Sequence, residues 1–521
     1  MKKVADFFEK CILVIFILIY ASVLLIDILF QNVDYYRKRD FILPIVGFAL
    51  LAALFAIGGA WIYRRNKEQI LKKLEKSDKS ILIASILLFF LQCFICLHIY
   101  FMTGWDSGII TANADYVANG QTSELWNWYY SRCPNNSLLT AIYASIFWVL
   151  EHIGVPSTVV RLVVVFGQCA ISVWTGYLMY RCARRMYPTT FAPVVIWGIY
   201  VCLLGLSPWL IIPYSDSSCL FMPMLILWLY MSMDEKAGKW KYLKVTLIGV
   251  ISYLGYEIKP MVIIITIAIL GVEILQNCKV KATLQQWSTL FVLCVSLFVT
   301  IGVCKVVNLE EIMGFEINEE AEFGLTHYLM MGFNYEHSGV YIQEDADYSE
   351  SISTNAERKR ENLRIAKERI EEYGVVGLAK HSIRKAMVNF NDGTFAWSQE
   401  GDFYGIPLSI PEDFFKSFLR NIYYEDGAYY VVFETVAEFF WMFTLLGTAL
   451  NGINLWKRKK ECMDKTNLVM MASLIGIAMF VMLFEARSRY LFVYVPIYII
   501  MAVRGYASFY HWFCDRKTIG E

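Results

Sequence analysis

Eight charged residues lie at the ends of long apolar runs, where their side chains could do chemistry: Asp106, Arg161, Asp216, Glu257, Lys259, Glu485, Arg487 and Arg489. Ionisable groups at membrane depth are costly and by default mark a functional site. Arginine binds phosphate oxygens through paired hydrogen bonds, and lysine acts as a point charge. A carboxylate can take a proton from an attacking group. This mixture predicts a reaction between a phosphorylated lipid and a hydroxyl or amine acceptor.

Two of the carboxylates stand in short polar stretches. Asp106 lies in "GWDSG", just after one of the most apolar segments, and we predict that it is the catalytic base. Asp216 lies in "YSDS" before another apolar run, and we predict a substrate-binding role. Because aspartate is a favoured N-cap, either residue could instead only cap the helix that follows it.

The cations form a second group. Arg487 and Arg489 in "EARSR" lie on the predicted outer side of the membrane, whereas lysine and arginine usually prefer the cytoplasmic side. We predict that they bind a lipid phosphate. Lys259 has the same predicted role, although an interfacial lysine can also extend its ammonium to water. Glu257 and Glu485 are predicted to pair with these cations, and Glu485 is also predicted to be a substrate-binding residue.

The composition is typical of a membrane protein. Of the 521 residues, 57% are hydrophobic, which exceeds the 45–50% that is usual for soluble domains. The net charge is zero, and no basic face with interleaved aromatic residues occurs outside the short loops, so the sequence indicates no nucleic-acid partner. Most of the 13 cysteines lie in apolar runs, where cysteine behaves as a small hydrophobic residue.

The apolar runs have the length of membrane-spanning helices. They predict an all-α polytopic membrane protein with twelve spans, near residues 11–30, 41–63, 80–102, 158–180, 189–210, 217–233, 243–257, 260–276, 286–307, 431–455, 467–485 and 489–511. Lysine and arginine in the short loops place both termini in the cytoplasm. This orientation requires that residues 137–154 form a re-entrant or juxtamembrane helix and not a span. The short loops further suggest a bacterial plasma membrane.

The span pattern divides the chain into three parts. Residues 1–307 form an N-terminal transmembrane module whose first outer loop, 103–157, would be catalytic. Residues 308–430 form an extracytoplasmic loop domain, in which 356–390 has a helical pattern with charge pairs four residues apart. Residues 431–521 form the C-terminal transmembrane helices.

Several motifs, in order, resemble the membrane glycosyltransferases of the GT-C fold, in particular the protein O-mannosyltransferase and aminoarabinose transferase branch. They are "GWDSG" with Asp106, "CPNNSLL" with Asn135, "VVRLVVVF" with Arg161, "CARRMY" at 182–187 and "YSDS" with Asp216. The late "EARSRYLFVYVPIY" resembles a phosphate-binding corner of Gram-positive members. The resemblance implies Asp106 as the catalytic residue and the other named residues as substrate-binding.

The same resemblance implies the partners. The donor would be an undecaprenyl-phosphate-linked sugar in the bilayer. The acceptor would be a cell-wall polysaccharide, a teichoic acid or a lipid-linked glycan, and transfer would invert the anomeric centre. The chain departs from the family pattern, because Ser107 follows Asp106 where a second acid is common. It also has Cys133-Pro134-Asn135 in place of His-Pro-Pro.

Other interpretations stay open. A divalent cation, Mg²⁺ or Mn²⁺, is an open choice of cofactor, although the sequence shows no clear metal site and several members of the branch need none. A flippase or transporter for lipid-linked sugars would also explain twelve spans with charges at depth. A polysaccharide polymerase or ligase would explain the large late loop, and Asp106 would then be incidental.

Overall fold

The computed structural model describes residues 2–30, 67–188, 191–233, 238–280, 283–400, 411–457 and 464–519, together with positions 46, 47, 50, 54, 406 and 407. In these residues the chain is built almost entirely of helices. The predicted all-α polytopic membrane fold is therefore confirmed.

Eight helices among the described residues are long and apolar enough to cross a membrane. They are Lys2–Leu29, Ser77–Ile99, Ser157–Met186, Pro260–Val280, Gln286–Ile312, Tyr430–Lys457, Lys465–Leu483 and Ser488–Ser508. Two shorter apolar helical stretches, Ala192–Gly205 and Ser215–Met231, lie between them along the chain. The predicted span at 41–63 lies almost wholly outside the described residues.

The helices of the first half are numbered here in chain order: α1 Lys2–Leu29, α2 Lys67–Ile99, α3 Asp106–Ala118, α4 Glu124–Arg132, α5 Ser137–His152, α6 Ser157–Met186, α7 Ala192–Tyr200, α8 Ser215–Ser218, α9 Phe221–Met231, α10 Lys239–Ile258, α11 Ile264–Val280 and α12 Leu284–Val307. Helix α5 covers the predicted re-entrant segment. Its 16 residues fall short of the roughly 20 that a span needs.

The helices of the second half are α13 Leu309–Ile312, α14 Gly324–Gly332, α15 Gln343–Ser351, α16 Asn355–Phe390, α17 Trp397–Glu400, α18 Phe414–Tyr423, α19 Tyr430–Lys457, α20 Lys465–Leu483 and α21 Val495–Ile519. Two short strands, β1 (Phe101–Met102) and β2 (Ile406–Pro407), pair antiparallel, with Phe101 opposite Pro407.

Several predicted spans are interrupted where they meet the polar end of the molecule. Helix α7 continues into a π-helical turn at Val201–Gly205, and a 3₁₀ turn begins at Pro208. Proline lacks a backbone N–H and therefore cannot continue the ladder of an α-helix. A similar 3₁₀ turn at Pro260–Ile263 starts the span of α11, and Ser488–Tyr494 starts that of α21. These breaks turn the chain at the corners that carry charged residues.

The described residues between α12 and α19 pack on one end of the spans, with Lys385 bonded to Phe484 and Asn391 to Phe30. We call this segment the cap and that end the cap side. Helix α16 is its longest element, and the helical prediction for 356–390 is confirmed. The expected charge pairs occur on its surface, with Arg364 Nη1 2.7 Å from Glu368 Oε1. Gly374 bends the helix with a positive φ of 55°, a conformation that glycine adopts without steric cost.

The turn after α16, residues 391–397, is buried between the cap and the spans. Asp392 is fully buried and accepts hydrogen bonds from the backbone N–H groups of Thr394 and Ala396, at 2.8 and 2.5 Å. The indole of Trp209 donates to the carbonyl oxygen of Thr394 at 3.0 Å. The indole of Trp397 donates to the carbonyl oxygen of Tyr423 at 2.6 Å. The bonds to Trp209 and Tyr423 connect this glycine-containing turn to the neighbouring elements and so hold the cap against the spans.

Candidate functional site

Asp106 is the first residue of α3 and stands half-buried at its N-terminus. Trp105 occupies the N-cap position in an extended conformation, so Asp106 is not the cap itself. The turn is tight: the N–H of Gly108 donates to Oγ1 of Thr103 at 3.1 Å, and a Cβ on Gly108 would lie 1.9 Å from the carbonyl oxygen of Thr103. A carboxylate at a helix N-terminus is stabilised by the helix dipole.

Tyr214 connects Asp106 to a second corner of the fold. Its hydroxyl donates a hydrogen bond to Oδ2 of Asp106 at 3.0 Å. The same tyrosine is the N-cap residue of the short helix α8, whose second residue is Asp216. The two predicted carboxylates are thus held near each other by one aromatic side chain.

Asp216 is the centre of a buried ion triad. Its Oδ1 lies 2.5 Å from Nζ of Lys259, and its Oδ2 lies 3.3 Å from Nη1 of Arg489. Asp216 and Lys259 are 2% and 3% exposed, and Arg489 is 8% exposed. Helix α8, the break after α10 and the corner before α21 each supply one member. When all three side chains are ionised, two cations and one carboxylate give the triad one net positive charge, held where water has little access.

Aromatic rings surround the guanidinium of Arg489. Its carbon lies 5.0 Å from the ring centre of Trp105, 5.2 Å from that of Tyr214 and 5.5 Å from that of Tyr490. Nζ of Lys259 also lies 5.1 Å from the ring centre of Tyr490. Cations over aromatic faces are stabilised electrostatically. Tyr214 contacts both groups, since its ring lies against the guanidinium of Arg489 and its hydroxyl bonds to Asp106.

The remaining residues of "EARSR" lie at the edge of this cluster. Glu485 is buried, and its Oε1 lies 3.3 Å from Nε of Arg487, so the predicted pairing of Glu485 with a cation is present. The backbone N–H of Arg487 donates to Oδ1 of Asn389, whose amide donates to the carbonyl oxygen of Val481. The cap helix α16 therefore fastens the corner that supplies Arg487 and Arg489.

The cap approaches the cluster through Lys385 of α16. Its ammonium donates to the carbonyl oxygens of Gly332 at 2.9 Å and Phe484 at 2.6 Å. Burial lowers the pKa of Lys385 to about 7, and the charge of Glu485 opposes this effect only in part. Tyr328 of α14 has a raised pKa, chiefly through burial and further through nearby acidic groups that include Glu485 and Asp106. Both cap residues therefore interact electrostatically with Glu485 at the edge of the cluster, and Tyr328 also interacts with Asp106.

Arg161 and Asn135 have other partners. Nη2 of Arg161 lies 2.9 Å from Oδ2 of Asp115, whose Oδ1 accepts a hydrogen bond from Ser157. This pairing joins α3 to the start of α6. Asn135 lies in the 3₁₀ turn before α5, and its amide donates to Oδ1 of Asn136 at 3.3 Å. In the described part of the chain, neither residue makes a hydrogen bond, ion pair or ring contact with the triad.

Sequence reasoning missed the aromatic and cap residues of the site. Tyr214, Trp105 and Tyr490 carry no charge, and aromatic residues make up 16% of the chain, so their types alone distinguish nothing. Their positions next to Asp106, Asp216 and Arg489 in the sequence were the available signal. Lys385 lies in a helix rich in exposed charges, and its burial depends on tertiary contacts.

Within the described ranges, no group of three or more histidine, cysteine, aspartate or glutamate side chains is placed to hold a metal ion. His327, an isolated histidine in the sequence, is buried in the cap and bonds to Ser349 through Nδ1 at 2.8 Å. Its burial lowers its pKa to about 4.

The fold and this cluster define a polytopic integral membrane protein in which Asp216, Lys259 and Arg489 form a buried charged group. The chain belongs to the family described as conserved hypothetical integral membrane protein, whose family model matches residues 4–508. A comparison with curated proteins finds no match.

Proposed function

We propose that the protein is a membrane glycosyltransferase that moves a sugar from a polyprenyl-phosphate donor to an acceptor on the cap side. One observation carries the proposal. A half-buried carboxylate, Asp106, lies beside a buried cluster with one net positive charge, and Tyr214 and Trp105 connect the two. This pairs a proton acceptor with a phosphate-binding group at a membrane boundary.

The chemistry follows from these positions. Asp106 takes the proton of the acceptor hydroxyl, and the hydroxyl oxygen attacks the anomeric carbon of the sugar. The bond between that carbon and the phosphate oxygen breaks, and the lipid phosphate leaves with the electron pair. Arg489 and Lys259 stabilise the negative charge that develops on the leaving phosphate, with Arg487 at the rim. A single displacement inverts the anomeric centre.

The cap would then choose the acceptor. The ends of the spans opposite the cap carry basic sequences, such as "RCARR" at 181–185 in the last turns of α6, which favours a cytoplasmic location for that side. Under this orientation the site is extracytoplasmic, both termini are cytoplasmic and the donor lies in the outer leaflet of a bacterial plasma membrane. The acceptor would be a cell-wall polysaccharide, a teichoic acid or a lipid-linked glycan.

The test is turnover of a panel of undecaprenyl-phosphate sugars by purified protein in lipid nanodiscs, with a crude cell-wall fraction as acceptor. Release of undecaprenyl phosphate is measured for the wild type, Asp106→Asn and Asp115→Asn. Asp115 is a matched control because it lies in the same helix but pairs with Arg161. We expect release by the wild type and Asp115→Asn, and a loss of about 10²-fold or more for Asp106→Asn.

Two results would contradict the proposal. Equal release by the wild type and Asp106→Asn would show that Asp106 is not the catalytic base. If no donor releases undecaprenyl phosphate, the proposed transferase activity is wrong. Movement of a labelled lipid-linked sugar between leaflets would then support the flippase.

A further inference from the structure

Helix α18 is an amphipathic helix whose charged and apolar faces are reversed relative to a soluble protein. Phe414 and Phe418 are 73% and 41% exposed, and their rings stack at 5.7 Å. Lys416, between them, is 5% exposed. In water this arrangement would expose apolar surface and bury a charge, which is unfavourable on both counts.

The inward face of α18 is satisfied by local partners. Nζ of Lys416 lies 2.6 Å from Oε1 of Glu412, and Arg420 lies 3.7 Å from the same carboxylate oxygen. Asp413 caps the helix by accepting from the N–H of Lys416 at 2.7 Å. Leu419 packs against the main hydrophobic core. The buried Lys416 therefore has its ammonium paired with the carboxylate of Glu412, which is 69% exposed, and the phenylalanines are left outside.

The outward face of α18 is continuous with the apolar surface of two spans. Phe415 packs edge-on against Phe94 of α2, with ring centres 5.4 Å apart. Phe90 of the same span is 63% exposed, and Val432 at the start of α19 is 62% exposed. Since α2 and α19 are membrane-spanning helices, their exposed apolar surface faces lipid.

We propose that α18 lies in the lipid leaflet on the cap side as an interfacial helix, with Phe414 and Phe418 inserted among the acyl chains. Interfacial helices place aromatic and aliphatic residues in lipid along one face. The outward face of α18 is therefore covered by the acyl chains of the bilayer, as are the apolar surfaces of the neighbouring spans. The inference stands independently of the proposed transferase activity.

Tyr424, which directly follows α18, contacts the segment that precedes Asp106. The hydroxyl of Tyr424, just after α18, donates to the carbonyl oxygen of Ile99 at 2.8 Å. The ring of Tyr424 lies 5.7 Å from that of Phe101 in β1, which precedes the Asp106 turn. An inserted α18 thus fixes the height of this turn relative to the membrane surface.

The test is photo-crosslinking in nanodiscs of palmitoyl-oleoyl phosphatidylglycerol and phosphatidylethanolamine. p-Benzoylphenylalanine replaces, one at a time, Phe414, Phe418, Phe298 and Leu363. Phe298 in the span of α12 is the lipid-facing control, and Leu363 on the charged helix α16 is the water-facing control, at 73% and 47% exposure. Each variant must elute as the wild type does, and mass spectrometry then detects phospholipid adducts.

We expect phospholipid adducts at Phe414, Phe418 and Phe298 and none at Leu363. Adducts at Phe298 alone would overturn the proposal. Adducts at all four positions would also overturn it, because exposure alone would then explain them. Adducts of the α18 positions with a second copy of the chain or with another protein would assign this face to a protein interface and equally overturn it.

Discussion

The hydroxyl of Tyr214 donates a hydrogen bond to the carboxylate of Asp106 at 3.0 Å. Asp106 begins α3, and Tyr214 precedes the short helix that holds Asp216. The bond therefore links the proposed base to the charged corner that would bind the lipid phosphate. If the proposed chemistry is correct, this link should control how the carboxylate faces the acceptor.

Tyr214→Phe should lower turnover while leaving the fold intact. A hydrogen bond to a charged group contributes about 1.5–3 kcal/mol, which corresponds to a loss of roughly 10- to 100-fold in rate if it is fully expressed in the transition state. The measurement is release of undecaprenyl phosphate by the purified variant. Tyr373→Phe is the control, because it removes a hydroxyl bonded to the carbonyl oxygen of Phe333 inside the cap. Equal turnover in both variants would argue against an orienting role for Tyr214.

Asp216→Asn should destabilise the protein more than Lys259→Met. The first change leaves two buried cations beside each other without a counter-charge, whereas the second leaves Asp216 paired with Arg489. Removing one partner from a buried ion pair costs about 3–5 kcal/mol, and the second change should cost clearly less. Thermal unfolding midpoints in the same detergent compare the two. If Lys259→Met has the lower midpoint, the net positive charge of the triad does not govern its stability.

The stability of the protein should rise as the pH increases through the alkaline range, because of Lys385. Burial lowers the pKa of this lysine from 10.5 to about 7 in the folded state. Between these values the unfolded chain binds one more proton than the folded chain, so stability increases with pH by up to about 1.4 kcal/mol per pH unit. Below about pH 7 both states are protonated and this contribution is constant at its least favourable value.

Thermal midpoints of the wild type and Lys385→Met, measured from pH 6.5 to 9.5, check this dependence. The difference between wild type and variant should shift in favour of the wild type above about pH 7. Lys380→Met serves as the matched control, since this lysine is exposed on the same helix. It should follow the wild type at every pH. Parallel curves for wild type and Lys385→Met would show that Lys385 does not titrate in this range.

Gly332→Ala should loosen the cap from the spans. A Cβ at this position would lie 2.4 Å from the carbonyl oxygen of Leu483 and 2.6 Å from that of Phe484, and backbone atoms cannot move away cheaply. Overpacking of this kind costs about 1–3 kcal/mol. A lower thermal midpoint and faster proteolysis of the cap are expected. Gly302→Ala is the control, because nothing beyond the backbone of its own helix lies within 4 Å of its added Cβ.

The sequence by itself determined the class of the protein and most of its helices. Apolar runs of sufficient length form helices in a membrane whatever their neighbours are, because every backbone polar group must be satisfied within the segment. The ends of these runs mark the membrane boundary, so they also identified the charged residues that lie there, including Asp106, Asp216 and Lys259. The helical pattern of 356–390 was also local, with its charge pairs one turn apart.

Only the tertiary structure decided which of these charges meet. Arg489 reaches Asp216 across 273 positions of sequence, and Lys259 joins them from a third corner. Arg161 has the same chemistry and an equivalent position at a span end, yet it pairs with Asp115 instead. Helix packing brings together residues far apart in the chain, and side-chain direction at each helix end then selects the partner. The spacing of residue types in the sequence determines neither the helix packing nor the side-chain directions. Only the folded chain therefore shows which charged residues form the site.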